Sequence, residues 1–139
     1  YTLSLHDALP IFCLPRIHPF NANQLLFIRY QAKSQMQGNR FGINEPILSC
    51  LDVIPLNTID IMFTPLVAFD SSGARLGMGG GFYDRTLSQW HQSFINDETT
   101  HLWPIGLAHD CQQVESIPIE YWDVPIPEII TPSKHHHFI

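Results

Sequence analysis

The chain has few charged residues and no long hydrophobic run. Charged side chains make up 14% of its 139 residues, and the 7 basic ones are scattered, which leaves a formal net charge of −6. Nucleic acid is therefore disfavoured as a partner, because phosphate backbones require a concentrated basic face. No apolar run approaches the ~20 residues of a membrane span. A hydrophobic share of 45% predicts one globular domain with a substantial core.

Cysteine is also scarce. Cys13, Cys50 and Cys111 are odd in number, far apart in the chain, and lack the spacing of a metal site. This usage favours reduced thiols and a cytoplasmic protein, with each cysteine serving as a small core residue.

Both ends of the chain are unusual. The chain starts at Tyr1, and residues 1–12 resemble a non-native tail on a fragment; they are not a signal peptide, since no basic segment precedes the apolar stretch. We assign residues 13–133 to a single domain. We expect residues 134–139, which contain three consecutive histidines, to be a frayed, flexible tail rather than metal ligands or a purification tag.

The hydrophobic pattern predicts a mixed α/β fold. Strands are expected near residues 11–14, 25–30, 60–64, 66–69, 102–108 and 128–131, with a turn at residues 70–73. From Phe82 the pattern becomes helical, because Tyr83, Leu87, Trp90 and Phe94 form one apolar stripe. Strands separated by helical crossovers predict a layered, mostly parallel sheet flanked by helices.

A glycine-rich loop is the clearest indication of chemistry. In the run RLGMGGGFYDR of residues 75–85, four of the five positions 77–81 are glycine, and the predicted helix follows at once. Glycines allow backbone N–H groups to surround an anion, and a helix N-terminus adds unpaired donors and a favourable dipole. Arg75, just upstream, could hold phosphate oxygens in its guanidinium fork. The pattern therefore favours a polyphosphate ligand over a tight turn that binds nothing.

Two common phosphate motifs do not fit this loop. No lysine follows the glycines, as a Walker A loop requires, and Phe82 occupies the place of the third glycine in the dinucleotide fingerprint. Asp84 lies in the first helical turn, where it could simply stabilise the helix dipole. Beside a polyphosphate, however, it would need a bridging cation such as Mg²⁺, with Asp110 or Asp123 as a second carboxylate.

At this point the sequence resembles the 5-formyltetrahydrofolate cyclo-ligase family, also called methenyltetrahydrofolate synthetases. The resemblance covers about residues 13–133, and its central motif is specific to that family. The segments that carry it are LLFIRY (25–30), FGINEP (41–46), PLVAFD (65–70), RLGMGGGFYD (75–84), IGLA (105–108), IP (117–118) and DVP (123–125). The resemblance implies a Rossmann-like sheet related to that of sugar-phosphate isomerases and CoA-transferases.

The resemblance also implies an activity. It is the ATP-dependent ring closure of 5-formyltetrahydrofolate to 5,10-methenyltetrahydrofolate, in which the formyl oxygen is phosphorylated before ring closure and ADP and phosphate are released. Arg75 and Tyr83 would be catalytic, Asp84 and Asp123 would bind Mg²⁺, and the partners would be a reduced folate and ATP, with no nucleic acid or membrane, on a monomer. The loop residues that would bind ATP are Arg75, Leu76, Gly77, Met78, Gly79, Gly80, Gly81, Phe82 and Tyr83, of which Met78, Gly79, Gly80, Gly81 and Phe82 would also border the folate.

Two other functions remain open. Family members carry an N-terminal helical region, with a lysine that contacts ATP and a glutamate that binds folate, and nothing here matches it. The chain could therefore be an N-terminally truncated or inactive nucleotide-binding module. A phosphosugar isomerase or CoA-transferase would instead need an acid near the loop, for which Glu45 is the only upstream candidate with a suggestive setting.

Overall fold

A computed structural model describes residues 10–22 and 24–138. Within these ranges it contains eleven β-strands, one α-helix and three 3₁₀ turns, the last at Cys50–Asp52, Leu56–Thr58 and Asp110–Gln112. The helix is α1 (Phe82–Ile95), and the strands are β1 (Cys13–Ile17), β2 (Leu25–Arg29), β3 (Met36–Gly38), β4 (Asn44–Pro46), β5 (Val53–Ile54), β6 (Ile61–Pro65), β7 (Ala68–Phe69), β8 (Arg75–Leu76), β9 (Trp103–Leu107), β10 (Glu128–Ile130) and β11 (His135–His137).

The largest sheet has four strands in the order β11-β10-β9-β6. Strand β9 is parallel to both β6 and β10, whereas β11 is antiparallel to β10. The chain between β6 and β9 includes β7, β8 and α1. Parallel neighbours need such a long crossover, so the helix and the loop before it are placed by the connection between two paired strands.

The remaining sheets are antiparallel. They are a three-stranded sheet in the order β1-β2-β5 and the two hairpin-like pairs β3-β4 and β7-β8. The predicted α/β class is confirmed, but the finer expectation of a layered, mostly parallel sheet flanked by helices is not: the sheets are mixed, and the described residues contain one α-helix and two parallel strand pairs. The reason is that short connections, such as the one between β3 and β4, allow only antiparallel pairing. A Rossmann-like relationship stays a prediction.

Helix α1 packs on this framework through the predicted stripe. Leu87 and Trp90 are buried in the main core, with Tyr83 and Phe94 packed against it. The indole N–H of Trp90 donates to the carbonyl of Leu102 at 2.7 Å, so the polar edge of the ring is satisfied within the core. These contacts fix the helix axis and the position of its N-terminus. No helix of the described residues is long and apolar enough to cross a membrane.

The described part of the closing segment pairs with the sheet, contrary to the expected frayed tail. His135, His136 and His137 form β11 against β10. His136 is only 7% exposed and meets Phe69 edge-to-face at 5.1 Å between ring centroids, within a second core centred on Phe69, Ile126 and Ile129. Because side chains alternate along a strand, burial of His136 leaves its two neighbours on the opposite face.

The cysteines agree with the prediction only in part. All three are free thiols. Cys13 packs against the main core, and burial raises the pKa of its thiol. Cys50 and Cys111 are exposed, so the expectation that each cysteine is a core residue is wrong for these two.

Candidate active site

The glycine loop connects β8 directly to the first turn of α1. Gly79 and Gly81 have positive φ angles of +91° and +65°, and Gly81 is the N-cap residue of the helix. A Cβ atom at Gly81 would lie 2.6 Å from Nη1 of Arg85, which donates to the carbonyl of Gly80 at 2.7 Å. Glycine is required here for conformation and for space. The loop therefore approaches the helix end closely and places an exposed arginine beside it.

Arg75 is buried behind the loop rather than presented on it. Its side chain is 3% exposed, and its Nη2 donates to Oδ1 of Asp84 at 2.8 Å. Its Nε is buried without a hydrogen-bond partner among the described residues. The sequence predicted that Arg75 contacts phosphate. In this arrangement its guanidinium contacts Asp84, so the observed effect of the arginine is to orient that carboxylate.

Asp84 and the loop that carries Asp123 are joined by a hydrogen bond. The Val124 N–H donates to Oδ1 of Asp84 at 2.9 Å, and Oδ2 of Asp123 accepts from the Glu120 N–H at 2.8 Å. The residue that follows Asp123 thus contacts Asp84 from a distant part of the chain. Among the described residues, the second oxygen of each carboxylate accepts no hydrogen bond. Oxygen donors of this kind fit Mg²⁺, which also needs phosphates or water to complete its coordination.

Tyr83 lies at the start of α1, between the loop and the core. Its side chain packs against the main hydrophobic cluster. Burial raises the pKa of its phenol, and the nearby charge of Arg75 opposes this shift only in part. The phenol therefore stays protonated near neutral pH, and it can act as a hydrogen-bond donor but not as a base.

An apolar surface borders the loop. The Phe82 ring lies over Gly80, whose added Cβ would be 2.8 Å from it, and meets Phe41 edge-to-face at 6.0 Å. The Arg40 guanidinium lies 5.0 Å from the Phe41 ring centroid, and Met78 is 92% exposed at the tip of the loop. Phe41 belongs to the connection between β3 and β4, which the sequence did not assign to the site. In the sequence, the available signal was the aromatic side chain itself.

Leu76 and Gly77 complete the predicted loop. Leu76 is half exposed at the end of β8, and its carbonyl accepts from the Val67 N–H at 2.7 Å. A Cβ atom at Gly77 would lie 3.9 Å from Nη1 of Arg75. Arg75 and Asp84, at the two ends of this run, contact each other.

Two other candidate acids have structural partners elsewhere. Asp110 accepts from the Ser133 hydroxyl at 2.7 Å, in the segment after β10. Glu45 is buried, forms an ion pair with Arg16 at 3.4 Å, and accepts from the Ile17 N–H at 2.9 Å. Of the alternatives that the sequence left open, Asp123 is next in the chain to Val124, which contacts Asp84, whereas Asp110 and Glu45 make other contacts.

Comparison with known proteins identifies the family of this chain. The model of the 5-formyltetrahydrofolate cyclo-ligase family matches residues 7–132. The chain belongs to this family. The match starts within the segment 1–12 that the sequence analysis set aside as non-native.

Relatives and a solved structure agree with this assignment. The 5-formyltetrahydrofolate cyclo-ligase of Escherichia coli is 52% identical over 121 residues, which are 87% of this chain and 63% of the relative. The enzyme of the same name from Haemophilus influenzae is 56% identical over 118 residues, 84% of this chain and 59% of the relative. The NMR structure of the Aquifex aeolicus 5,10-methenyltetrahydrofolate synthetase matches with a TM-score of 0.69 at 26% identity, covering 92% of this chain and 58% of that one. The chain thus spans about three fifths of the length of these relatives.

Proposed function

We propose that the chain carries the phosphate- and folate-binding part of an enzyme that converts 5-formyltetrahydrofolate and ATP to 5,10-methenyltetrahydrofolate, ADP and phosphate. The observation that carries the proposal is the glycine loop on the N-terminus of α1, with Asp84 and the Asp123 loop joined beside it, in a chain of this family. The catalytic contribution would be positioning and charge stabilisation, since phosphoryl transfer leaves little covalent chemistry to the protein.

In this proposal the loop binds the phosphates of ATP. The backbone of residues 77–81 supplies donors, and the dipole of α1 adds to the positive potential. Arg85 is the exposed cation at the loop and would adjust to the phosphate charge. Arg75 would act as a positioning residue for Asp84, and the protonated phenol of Tyr83 would donate a hydrogen bond.

Mg²⁺ would be held by Asp84 and Asp123 together with phosphate oxygens. When bound, Mg²⁺ would neutralise the charge that develops during phosphoryl transfer. The Arg75 ion pair holds Oδ1 of Asp84 in place, while the second oxygen accepts no hydrogen bond among the described residues.

The reduced folate would lie on the apolar surface formed by Phe41, Met78 and Phe82. Aromatic and thioether side chains suit a flat heterocycle. Met78 is 92% exposed, so packing within the described residues does not account for an apolar side chain at this position. We further propose that the protein acts as a monomer in the cytoplasm, which is consistent with its three free thiols.

The alternative is a nucleotide-binding module without turnover. It is favoured by the chain's coverage of about three fifths of its relatives, since the remaining length could contribute to both sites. The isomerase and CoA-transferase interpretations lose support, because Glu45 is held by Arg16 and the Ile17 N–H.

An absorbance assay of methenyltetrahydrofolate formation distinguishes these functions. It compares the 139-residue chain with a chimaera that adds the family's N-terminal helical region, each with ATP and Mg²⁺. We expect turnover by the chimaera and greatly impaired turnover by the 139-residue chain. Turnover should be lost when Asp84→Asn is introduced into the chimaera. Asp60→Asn is the matched control, because it removes an exposed carboxylate that pairs with His101 rather than with the loop.

ATP binding without product in every form would establish the non-catalytic module instead. Full turnover by the 139-residue chain would contradict a need for any segment beyond it.

A further inference from the structure

Three side chains on the face of β10 and β11 opposite the second core converge outside the proposed active site. They are Glu128, His135 and His137, whose potential ligand atoms all lie within 4.8 Å of one another. Nε2 of His135 lies 3.2 Å from one carboxylate oxygen of Glu128, and Nδ1 of His137 lies 3.4 Å from the other. We propose that this Glu-His-His cluster is a binding site for a divalent transition metal, with Zn²⁺ as the best-suited ion.

The separations are also compatible with metal ligands. Nε2 of His135 is within hydrogen-bond distance of one Glu128 oxygen at 3.2 Å, whereas Nδ1 of His137 lies 3.4 Å from the other, beyond the usual range of about 2.7–3.2 Å. Nitrogen and oxygen ligands bound tetrahedrally to zinc at about 2.0–2.1 Å lie about 3.3–3.4 Å from each other, so the three groups need little movement to surround one ion. The exposed pair of His101 and Asp60 provides the contrast, because its 2.7 Å separation is that of a direct hydrogen bond.

The strand geometry holds the three ligands in place. Glu128 is directly opposite His137 in the β10-β11 register, and His135 is two residues from His137 on the same face. The two imidazole rings are 4.0 Å apart between centroids. The intervening His136 is anchored in the core against Phe69, which fixes the register of β11. The site is therefore built by paired backbone rather than by a loose tail.

The donor set selects the kind of metal. Two imidazoles and one carboxylate match the His₂Glu ligands of known zinc sites and leave one position for water. Imidazole suits zinc, copper and nickel, whereas Mg²⁺ prefers oxygen ligands. The cluster should thus bind Zn²⁺ without competition from the Mg²⁺ proposed for Asp84 and Asp123.

Titration of the untagged chain with Zn²⁺ near neutral pH, followed by calorimetry, tests the proposal. We expect one saturable site per chain that survives a large excess of Mg²⁺. Glu128→Gln and His137→Gln each remove a proposed ligand. Each should weaken Zn²⁺ binding by at least about 10–100-fold, which is the usual effect of removing a group that only hydrogen-bonds to a metal ligand. The matched control is His101→Ala, which removes an exposed, carboxylate-paired histidine and should leave Zn²⁺ binding unchanged.

Co²⁺ gives a second readout that does not depend on the variants. Bound Co²⁺ in a tetrahedral site of this kind should produce intense visible absorption, which Zn²⁺ abolishes on displacement. The proposal is overturned if no saturable Zn²⁺ site is found. It is equally overturned if Glu128→Gln and His137→Gln, shown to be folded by circular dichroism, bind Zn²⁺ as tightly as His101→Ala.

Discussion

Two clusters of charged or titratable side chains lie at different depths in this molecule. One is the pair of Arg75 and Asp84, and the other is Glu128 with His135 and His137. Arg75 and Asp84 have side chains 3% and 18% exposed, joined by a 2.8 Å contact. Glu128 meets two histidines whose side chains are 47% and 57% exposed, at 3.2 and 3.4 Å. The buried arginine needs its partner because desolvated charge is costly, whereas the exposed histidines can exchange hydrogen bonds, water or a metal at little cost. Depth therefore separates a buried pair of the candidate active site from an adaptable surface cluster.

The largest expected effect comes from breaking the buried pair. Asp84→Asn should lower the free energy of unfolding by about 3 kcal/mol, because it leaves the Arg75 charge buried without a counter-charge. Urea denaturation measures this loss. The double variant Arg75→Met with Asp84→Asn should recover much of it, since no charge then remains buried. A single variant as stable as the parent would show that the pair is not the structural element inferred above.

Asp70 sharpens the comparison, because it is a buried carboxylate held by neutral donors. It accepts from the Ser72 N–H and hydroxyl and from the Ile117 N–H at 2.6–2.9 Å. Burial alone would raise the pKa of Asp70, but these hydrogen bonds outweigh it and the pKa is lowered. Asp70→Asn should cost about 1–3 kcal/mol at neutral pH.

The lowered pKa of Asp70 also gives a pH prediction. Its stabilisation is fully present above the ordinary pKa of 3.8 and is lost as the pH falls through the lower folded-state value. The difference in stability between parent and Asp70→Asn should therefore shrink on acidification below about pH 4. Urea midpoints measured over a pH series test the sign, and a difference that grows in acid would contradict it.

The glycine loop allows backbone strain to be separated from contact. Gly81→Ala should lower the free energy of unfolding by more than the about 1–2 kcal/mol that a left-handed backbone costs, since its Cβ would also meet Arg85 at 2.6 Å. Gly42→Ala is the control, because Gly42 has a φ of +73° and no atom within 4 Å of an added Cβ. Equal losses in thermal or urea denaturation would mean that the Arg85 contact adjusts freely.

The smallest effect is expected at the surface cluster. In the presence of a chelator, Glu128→Gln should change the free energy of unfolding by less than about 1 kcal/mol, as is usual for exposed pairs. Added Zn²⁺ should then stabilise the parent but not the variant, since the metal binds the folded cluster. A large loss in the chelator-treated protein would show that Glu128 has a structural role and would weaken the comparison of depths.

Local periodicity and composition were enough to predict much of the fold. The helix starting at Phe82, its stripe through Leu87 and Trp90, and the strands near residues 25–30 and 102–108 are confirmed. The sheet arrangement was not predictable in the same way, because antiparallel and parallel partners differ in connection length rather than in side-chain pattern. The expectation of a frayed tail was wrong because no local sequence pattern reveals that His135–His137 can pair with the edge of β10.

What the sequence by itself determined is the glycine loop, its helix and the residue types of the candidate site, since these depend on neighbours in the chain. Only the tertiary structure decided that Arg75 contacts Asp84, that Val124 joins the Asp123 loop to it, and that Glu128 meets two histidines. These contacts unite residues nine positions apart for Arg75 and Asp84, forty for Asp84 and Val124, and seven and nine for Glu128 and its two histidines. The first two depend on how α1 and the Asp123 loop pack, and the third depends on the β10-β11 register. These are properties of packing and strand pairing, which no local sequence pattern specifies.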